Sequence, residues 1–355
     1  MSGAGHCSLR GVDFALFEPV DDELDLALYP ALANSRGYST KLTRAVTTAL
    51  THFLEALDEP VMTVAVAGSL GRLEASPQSD IDCMIVVDDG ANFHPQQTAA
   101  SIDRIRDEFV RRGLELPSAD GIYCRPIGAS RLLNPLSRGS LDEEAALFGT
   151  RMQLLLDAQP VYRAHEFASL RVRILNWYGW PHENGGNWTH LLNDLSRYLH
   201  AYSVWQQFKF SRSDNDGWYL RQAKLRSTRI TTFAGLLFTL GESTVSDRGD
   251  ANTLVRALNR TPLARLQVAF DRYTKADFSN VIELYEALHQ MLCEPSIRHE
   301  LIRLSPASAA DIPTQYTGAY GQIHQLSEEL MMHLTQFTLA RSGDWSPRIF
   351  RNWLL

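Results

Sequence analysis

Asp80 and Asp82 stand two residues apart at the head of the apolar run Cys83 to Val87, and a little earlier Gly68-Ser69-Leu70-Gly71-Arg72 follows a second apolar run, Val61 to Ala67. Carboxylates at i and i+2 of a strand project from one face of a sheet. That placement suits Mg²⁺, which is held by one or two carboxylates and completes its shell with substrate phosphates. Two such ions about 4 Å apart would clamp the attacking and leaving oxygens of an in-line displacement. Gly68 permits a sharp turn, and Ser69 is a favoured helix N-cap. The N–H groups at that helix start suit the β- and γ-phosphates of a nucleotide. Arg72, one turn on, offers a fork of donors to the same phosphates, and Gly71 leaves room for close approach. Ile81 points the other way, into the core.

Each piece alone has a plain alternative: an Asp-x-Asp pair is often a solvated strand end, and Gly-Ser an ordinary turn. The conjunction of strand, Gly-Ser, Gly-Arg and Ser79-Asp80-Ile81-Asp82 in one short unit carries the functional reading. Glu74 reads as a structural partner for Arg72. Asp120, just before GIYCRPI, is a further carboxylate beside a strand-like stretch, and Asp120-Gly121 is equally a turn signal.

The elements that must position these residues follow from the hydrophobic pattern. Val61 to Ala67 is a buried strand between Pro60 and Gly68. Thr40 to Leu57 and Pro95 to Arg112 have helical spacing, and a further strand is expected at Ile122 to Cys124, followed by a loop carrying Pro126 and Pro135. From about residue 141 the pattern reads as helices only: 142–156, 166–177, 188–210, 218–240, 253–270, 277–292 and 320–340. Residues 1–38 read as an extension, 39–140 as the core, and 141–355 as a helical domain.

Two of the later helices carry more polar residues than packing requires. Asn193, Arg197 and His200 form one stripe, and Arg221, Lys224 and Thr228 another, with Arg226 and Arg229 in a neighbouring row. Bordering the cleft they would bind phosphate, ribose or acceptor. Otherwise they form an interhelical ion-pair face with Asp194.

At 355 residues the chain exceeds one ordinary domain, and 45% hydrophobic with 21% charged residues is an ordinary folded composition. A net charge of −7, from 41 acids against 34 Lys plus Arg, gives no overall basic field for polynucleotides. The four cysteines, Cys7, Cys83, Cys124 and Cys293, form no CxxC and fit a reducing cytoplasm. No apolar stretch reaches membrane-spanning length, and no leader pattern opens the chain, so a cytoplasmic protein is expected.

Gly68, Ser69, Gly71, Arg72, Glu74, Ser79, Asp80 and Asp82 together resemble the pattern of the DNA polymerase β-like nucleotidyltransferase superfamily. Within it they look most like the bacterial signal-protein uridylyltransferases and related nucleotidyltransferases of unassigned substrate. NDLSRYLH at 193–200 and WYLRQAKLRSTR at 218–229 resemble the helical segment following the core in that unassigned group. The resemblance covers about residues 60 to 240. It implies an α+β fold, a small mixed β-sheet nucleotidyltransferase core with flanking helices followed by an all-helical domain. It also implies Mg²⁺ as cofactor, ATP or UTP as the nucleoside triphosphate, and Asp80, Asp82 and Asp120 as metal and catalytic residues. Gly68, Ser69, Gly71, Arg72 and Lys224 would hold the nucleotide, and NMP would pass to a hydroxyl of a protein or small molecule. No His-Asp dipeptide of the phosphohydrolase type occurs, so the demodifying activity of the bifunctional uridylyltransferases is not expected. A silent nucleotide-binding regulatory module and an RNA-end-modifying transferase are the alternatives, the second disfavoured by the acidic balance.

Overall fold

The computed structural model describes residues 24–55, 60–90, 95–113, 125–178, 188–208, 217–245, 251–304 and 317–354. Its sheet is built on a hairpin, β1 (Val61–Ala67) and β2 (Asp82–Val87), antiparallel with Ala67 opposite Asp82. Two short strands complete it: β3 (Pro126–Gly128), parallel to β2, and β4 (Gln159–Tyr162), antiparallel to β1, in the order β3-β2-β1-β4. The fold is therefore α+β with a small mixed sheet, as the sequence implied.

Strand alternation sorts the sheet residues into two cores. Val64, Val66, Cys83, Ile85 and Val87 face one cluster, with Val46, Leu50 and Leu54 of α1 (Pro30–Leu54) and Ile102, Ile105 and Phe109 of α3 (Pro95–Arg111). Ala65, Ala67, Met84 and Val86 face the other, much larger cluster, which belongs to the helices. Both faces are covered, so both central strands read as unbroken apolar runs. Asp80 and Asp82 have the parity of Met84 and Val86 and therefore face the helical side. Ile81 has the opposite parity and is buried in the first cluster.

α2 (Gly68–Gly71) follows β1, and α4 (Ala129–Leu132) follows β3. Then come α5 (Ala145–Leu156), α6 (Ala164–Trp177), α7 (Thr189–Phe208), α8 (Trp218–Lys224) and α9 (Ile230–Glu242), the last two joined by a π turn, Leu225–Arg229. α10 (Ala251–Leu258), α11 (Pro262–Asp271), α12 (Ser279–Cys293), α13 (Pro295–Arg303), α14 (Gly318–Ala340) and α15 (Pro347–Leu354) close the described chain.

Several expectations change. β4 lies beyond residue 140, so the sheet takes a strand from the segment read as helices only; Pro160 is tolerated because β4 is an edge strand. Pro126 begins β3 rather than a loop. α1 starts at Pro30, inside the segment read as an extension, with its first N–H groups satisfied from far away. Ala31 and Leu32 donate to the Glu286 carboxylate of α12 at 2.7 and 2.9 Å. The expected 253–270 helix is two helices, broken where Thr261 caps Ala264 and Pro262 opens α11. The strand expected at Ile122 to Cys124 lies outside the described residues, as does most of the acidic stretch at 18–25.

Buried arginines hold the C-terminal end of α5. Arg265 donates to the carbonyls of Leu155 at 3.1 Å and Leu156 at 2.7 Å. Arg171 donates to those of Leu154 at 2.8 Å and Ala158 at 2.7 Å. Carbonyls at a helix end lack intrahelical partners, and these guanidinium groups supply them. Asp157, between the anchored residues, is thereby fixed under the β1 hairpin.

Candidate active site

Chain direction at the end of β1 is set by Gly68, whose φ is +63°. A Cβ there would strike Asp82 Oδ2 and lie 3.3 Å from its Cγ, so the glycine is what lets the carboxylate close against the turn. Gly71 serves a different partner from the one expected. Its missing Cβ makes room for the Asp157 carbonyl oxygen and for that of Val66, which would be 2.8 Å away, not for a ligand. Gly71→Ala is expected to destabilise the fold by about 1–3 kcal/mol through overpacking against backbone, measured by denaturant unfolding. An unchanged midpoint would show that the 157 loop yields.

Ser69 is not the N-cap of α2. The helix begins at Gly68 with Ala67 in the capping position and no side-chain cap, and the Ser69 side chain lines the cavity.

Arg72 also departs from expectation. It is 6% exposed, with Nε 2.7 Å from Glu74 Oε2 and Nη1 2.8 Å from Asp157 Oδ2. Burial by itself would lower its pKa, but the carboxylates of Glu74 and Asp157 outweigh that and raise it. Tyr285 of α12 donates to Glu74 Oε1 at 2.7 Å, and Gln153 donates to Asp157. The fork predicted for phosphates is thus engaged inside the protein, where it ties the turn after α2 to α5 and α12. Glu74 is the partner of Arg72, as its sequence position implied.

Above this network lies a cavity of about 640 Å³ between the connected ends of the central strands β1 and β2 and the helices. Ser69, Asp80 and Asp82 line one side; Lys224, Thr228 and Arg229 line the side formed by α8 and the π turn. Among the described residues the side chains of Ser69, Asp80 and Lys224 make no hydrogen bond or ion pair. Burial pushes the Asp82 carboxyl up to about 6; Arg229 opposes the shift and Asp80 and Asp157 add to it. Arg229 Nη2 is 3.8 Å from Asp82 Oδ2, too far for a hydrogen bond. Burial lowers the Lys224 pKa, and Asp80 opposes that shift.

Asp82 is therefore a carboxylate whose charge the fold compensates only in part. A folded-state pKa of about 6 above the ordinary 3.8 means its contribution is most favourable at low pH and is lost as pH rises through 6. Asp82→Asn is expected to raise stability at pH 7.5 in chelator by on the order of 1–3 kcal/mol, and much less at pH 4.5. A lower melting temperature for the variant at pH 7.5 would show that Arg229 compensates the charge fully.

The π turn explains which cations reach the cavity. On a regular helix Arg229 would share a row with Arg226, as the sequence suggests. The wider turn separates them: Arg229 lines the cavity, while Arg226 pairs with Glu328 of α14 at 2.6 Å. Arg221, Lys224 and Thr228 all line the cavity, as their spacing predicted. The α7 stripe does not. Asn193 and His200 are exposed, and Arg197 sits against Asp194 at 3.2 Å and over the Phe148 ring at 4.1 Å. The face of α7 that lines the cavity carries Tyr198, Tyr202 and Trp205 instead. Their spacing at i, i+4 and i+7 was the available signal, indistinguishable from a core stripe in the sequence.

Asp80 and Asp82 fit a divalent cation as a donor set: two hard oxygen donors of the same parity at the head of β2, one solvent-exposed, the other half-buried with its charge under-compensated. Among the described residues no group of three His, Cys, Asp or Glu converges, and Asp120 lies outside them. No helix among the described residues is long and apolar enough to cross a membrane. A scan against protein-family models and a search of curated proteins find no match for this chain.

Proposed function

We propose that the protein is a Mg²⁺-dependent nucleotidyltransferase, moving NMP from a nucleoside triphosphate to a hydroxyl of a protein or small molecule. The observation that carries this reading is the convergence of Asp80, Asp82, Ser69 and Lys224 on one cavity, with Ser69, Asp80 and Lys224 unpartnered among the described residues. In the reaction the acceptor oxygen bonds to the α-phosphorus, the bond to the β-phosphate oxygen breaks, and pyrophosphate leaves. Bound Mg²⁺ would neutralise the phosphate oxygens and favour the in-line geometry. Asp80 and Asp82 would hold it, Lys224 and Arg229 would draw the triphosphate, and Ser69 would donate to a phosphate oxygen. Asp120 is assigned the acceptor's proton. Cys83 and Cys293, which form no disulfide among the described residues, suit a reducing cytoplasm.

A second reading, a nucleotide-binding regulatory module without turnover, is favoured by one observation: of the three carboxylates lining the cavity among the described residues, Glu74 is engaged by Arg72 and Tyr285, which leaves Asp80 and Asp82 with no third acid converging on them. Incubation with each α-labelled NTP, with and without lysate, together with a pyrophosphate assay, separates the two. Label transfer with stoichiometric pyrophosphate supports the enzyme. NTP binding without pyrophosphate over long incubation supports the regulatory module and overturns the transferase.

A further inference from the structure

One cation of the cavity stands where it competes with a metal ion. Arg229 Nη2 is 3.8 Å from Asp82 Oδ2, close enough for Coulomb attraction but without a hydrogen bond to fix the pair. The same guanidinium is 5.4 Å from the Tyr202 ring centre, within reach of the π face. Arg229 therefore lies between a carboxylate and an aromatic ring, and a guanidinium drawn off the first keeps the second. Asp80, two residues from Asp82, is exposed and makes no ion pair among the described residues. The π turn Leu225–Arg229 brings this arginine to the cavity, and such turns are uncommon and recur at functional sites.

A guanidinium so placed opposes a divalent cation in two ways. It neutralises the carboxylate that the cation needs, and it repels the cation itself. Both effects are strengthened by partial burial, the Asp82 and Arg229 side chains being 15% and 22% exposed. A triphosphate reverses the balance, because it presents several anionic oxygens that can accept paired hydrogen bonds from the fork. Resting on the nucleotidyltransferase reading, we propose that Arg229 makes metal binding conditional on nucleotide: before nucleotide enters it is the counter-ion of Asp82, and the triphosphate draws it away and opens Asp82 to Mg²⁺. Arg229 then sets the order of binding as well as clamping phosphate. A merely supporting role has the opposite sign. If Arg229 held Asp82 in position for the ion, its removal would weaken metal binding, whereas removing a competitor strengthens it.

The test uses Mn²⁺, which takes the same oxygen ligands as Mg²⁺. Its binding to the full chain without nucleotide is followed by electron paramagnetic resonance of the free ion. Arg229→Gln is expected to bind Mn²⁺ about tenfold more tightly than wild type, and Arg229→Lys to stay within about threefold of wild type because the charge remains. The Asp80→Asn, Asp82→Asn double variant should lose the ion, which locates it. Affinity for non-cleavable analogues of ATP and UTP is then measured by calorimetry in chelator and in saturating Mn²⁺. The factor by which metal tightens the analogue equals the factor by which the analogue tightens the metal, and it should be about tenfold smaller in Arg229→Gln than in wild type. Melting temperatures establish that each variant is folded. Mn²⁺ affinity of Arg229→Gln equal to or below that of wild type overturns the proposal. If the ion binds through Asp80 and Asp82 but is indifferent to Arg229, the inference fails and the transferase reading stands. If neither Mn²⁺ nor any analogue binds wild type, that reading fails and this inference fails with it.

Discussion

Asp80→Asn and Asp82→Asn are each expected to cut NMP transfer severely, and together to abolish it, while leaving a folded protein. The two acids share the sheet face that looks into the cavity, and a neutral amide cannot replace a charged ligand for a hard cation. Losing one preorganised charge of this kind lowers turnover by on the order of 10²–10³, and the double variant should show none above background. The Asp82 substitution separates chemistry from folding, because removing its under-compensated charge is expected to raise stability. A more stable protein with no activity is hard to explain as misfolding. Pyrophosphate release per folded molecule, read with the melting temperature, is the measurement. Undiminished transfer by a folded double variant would end the case for metal-assisted chemistry at this site.

The second large effect is on stability. Arg72→Ala should destabilise the fold by about 3–5 kcal/mol, the usual consequence of removing one partner from a buried ion pair. Asp157 and Glu74, whose side chains are 0% and 6% exposed, would be left as uncompensated charges. Arg72→Lys should not restore the loss, since an ammonium cannot reproduce a planar fork reaching two carboxylates. Nucleotide affinity of the folded fraction should stay within a few-fold of wild type. Chemical denaturation and calorimetric NTP binding check the two halves. An Arg72→Ala variant with wild-type stability but strongly weakened NTP binding would return Arg72 to the phosphate role that the sequence motif suggests.

The contrast between Arg72 and Lys224 shows how the two levels of description divide. Short-range features were legible from residue types alone. Two short β-branched apolar runs bounded by Pro60 and Gly68 and by Asp82 and Asp88 read as buried strands from their composition and length. Residues at i and i+2 of a strand share a face by geometry, so Asp80 with Asp82, and Ile81 opposed to them, needed no tertiary information. The cation stripe of Arg221, Lys224 and Thr228 likewise follows from helical periodicity.

Partner choice across long separations was decided only by the fold. Asp157 is 85 residues from Arg72 and Tyr285 is 211 from Glu74, and nothing local marks them as one network. An arginine reads the same in sequence whether its fork meets phosphate or buried carboxylate. Gly71 likewise reads the same whether a ligand or the 157 carbonyl approaches it. β4 is four residues long with a proline, and only its edge position beside β1 makes it a strand. The turn of Arg229 toward the cavity depends on a π segment that a 3.6-residue period does not anticipate, and the aromatic face of α7 is a core stripe until the cavity is known to lie beside it. Local sterics and periodicity act within a few residues and are written in the sequence. Burial and ion pairing depend on which surfaces meet, and that is fixed only when the whole chain packs.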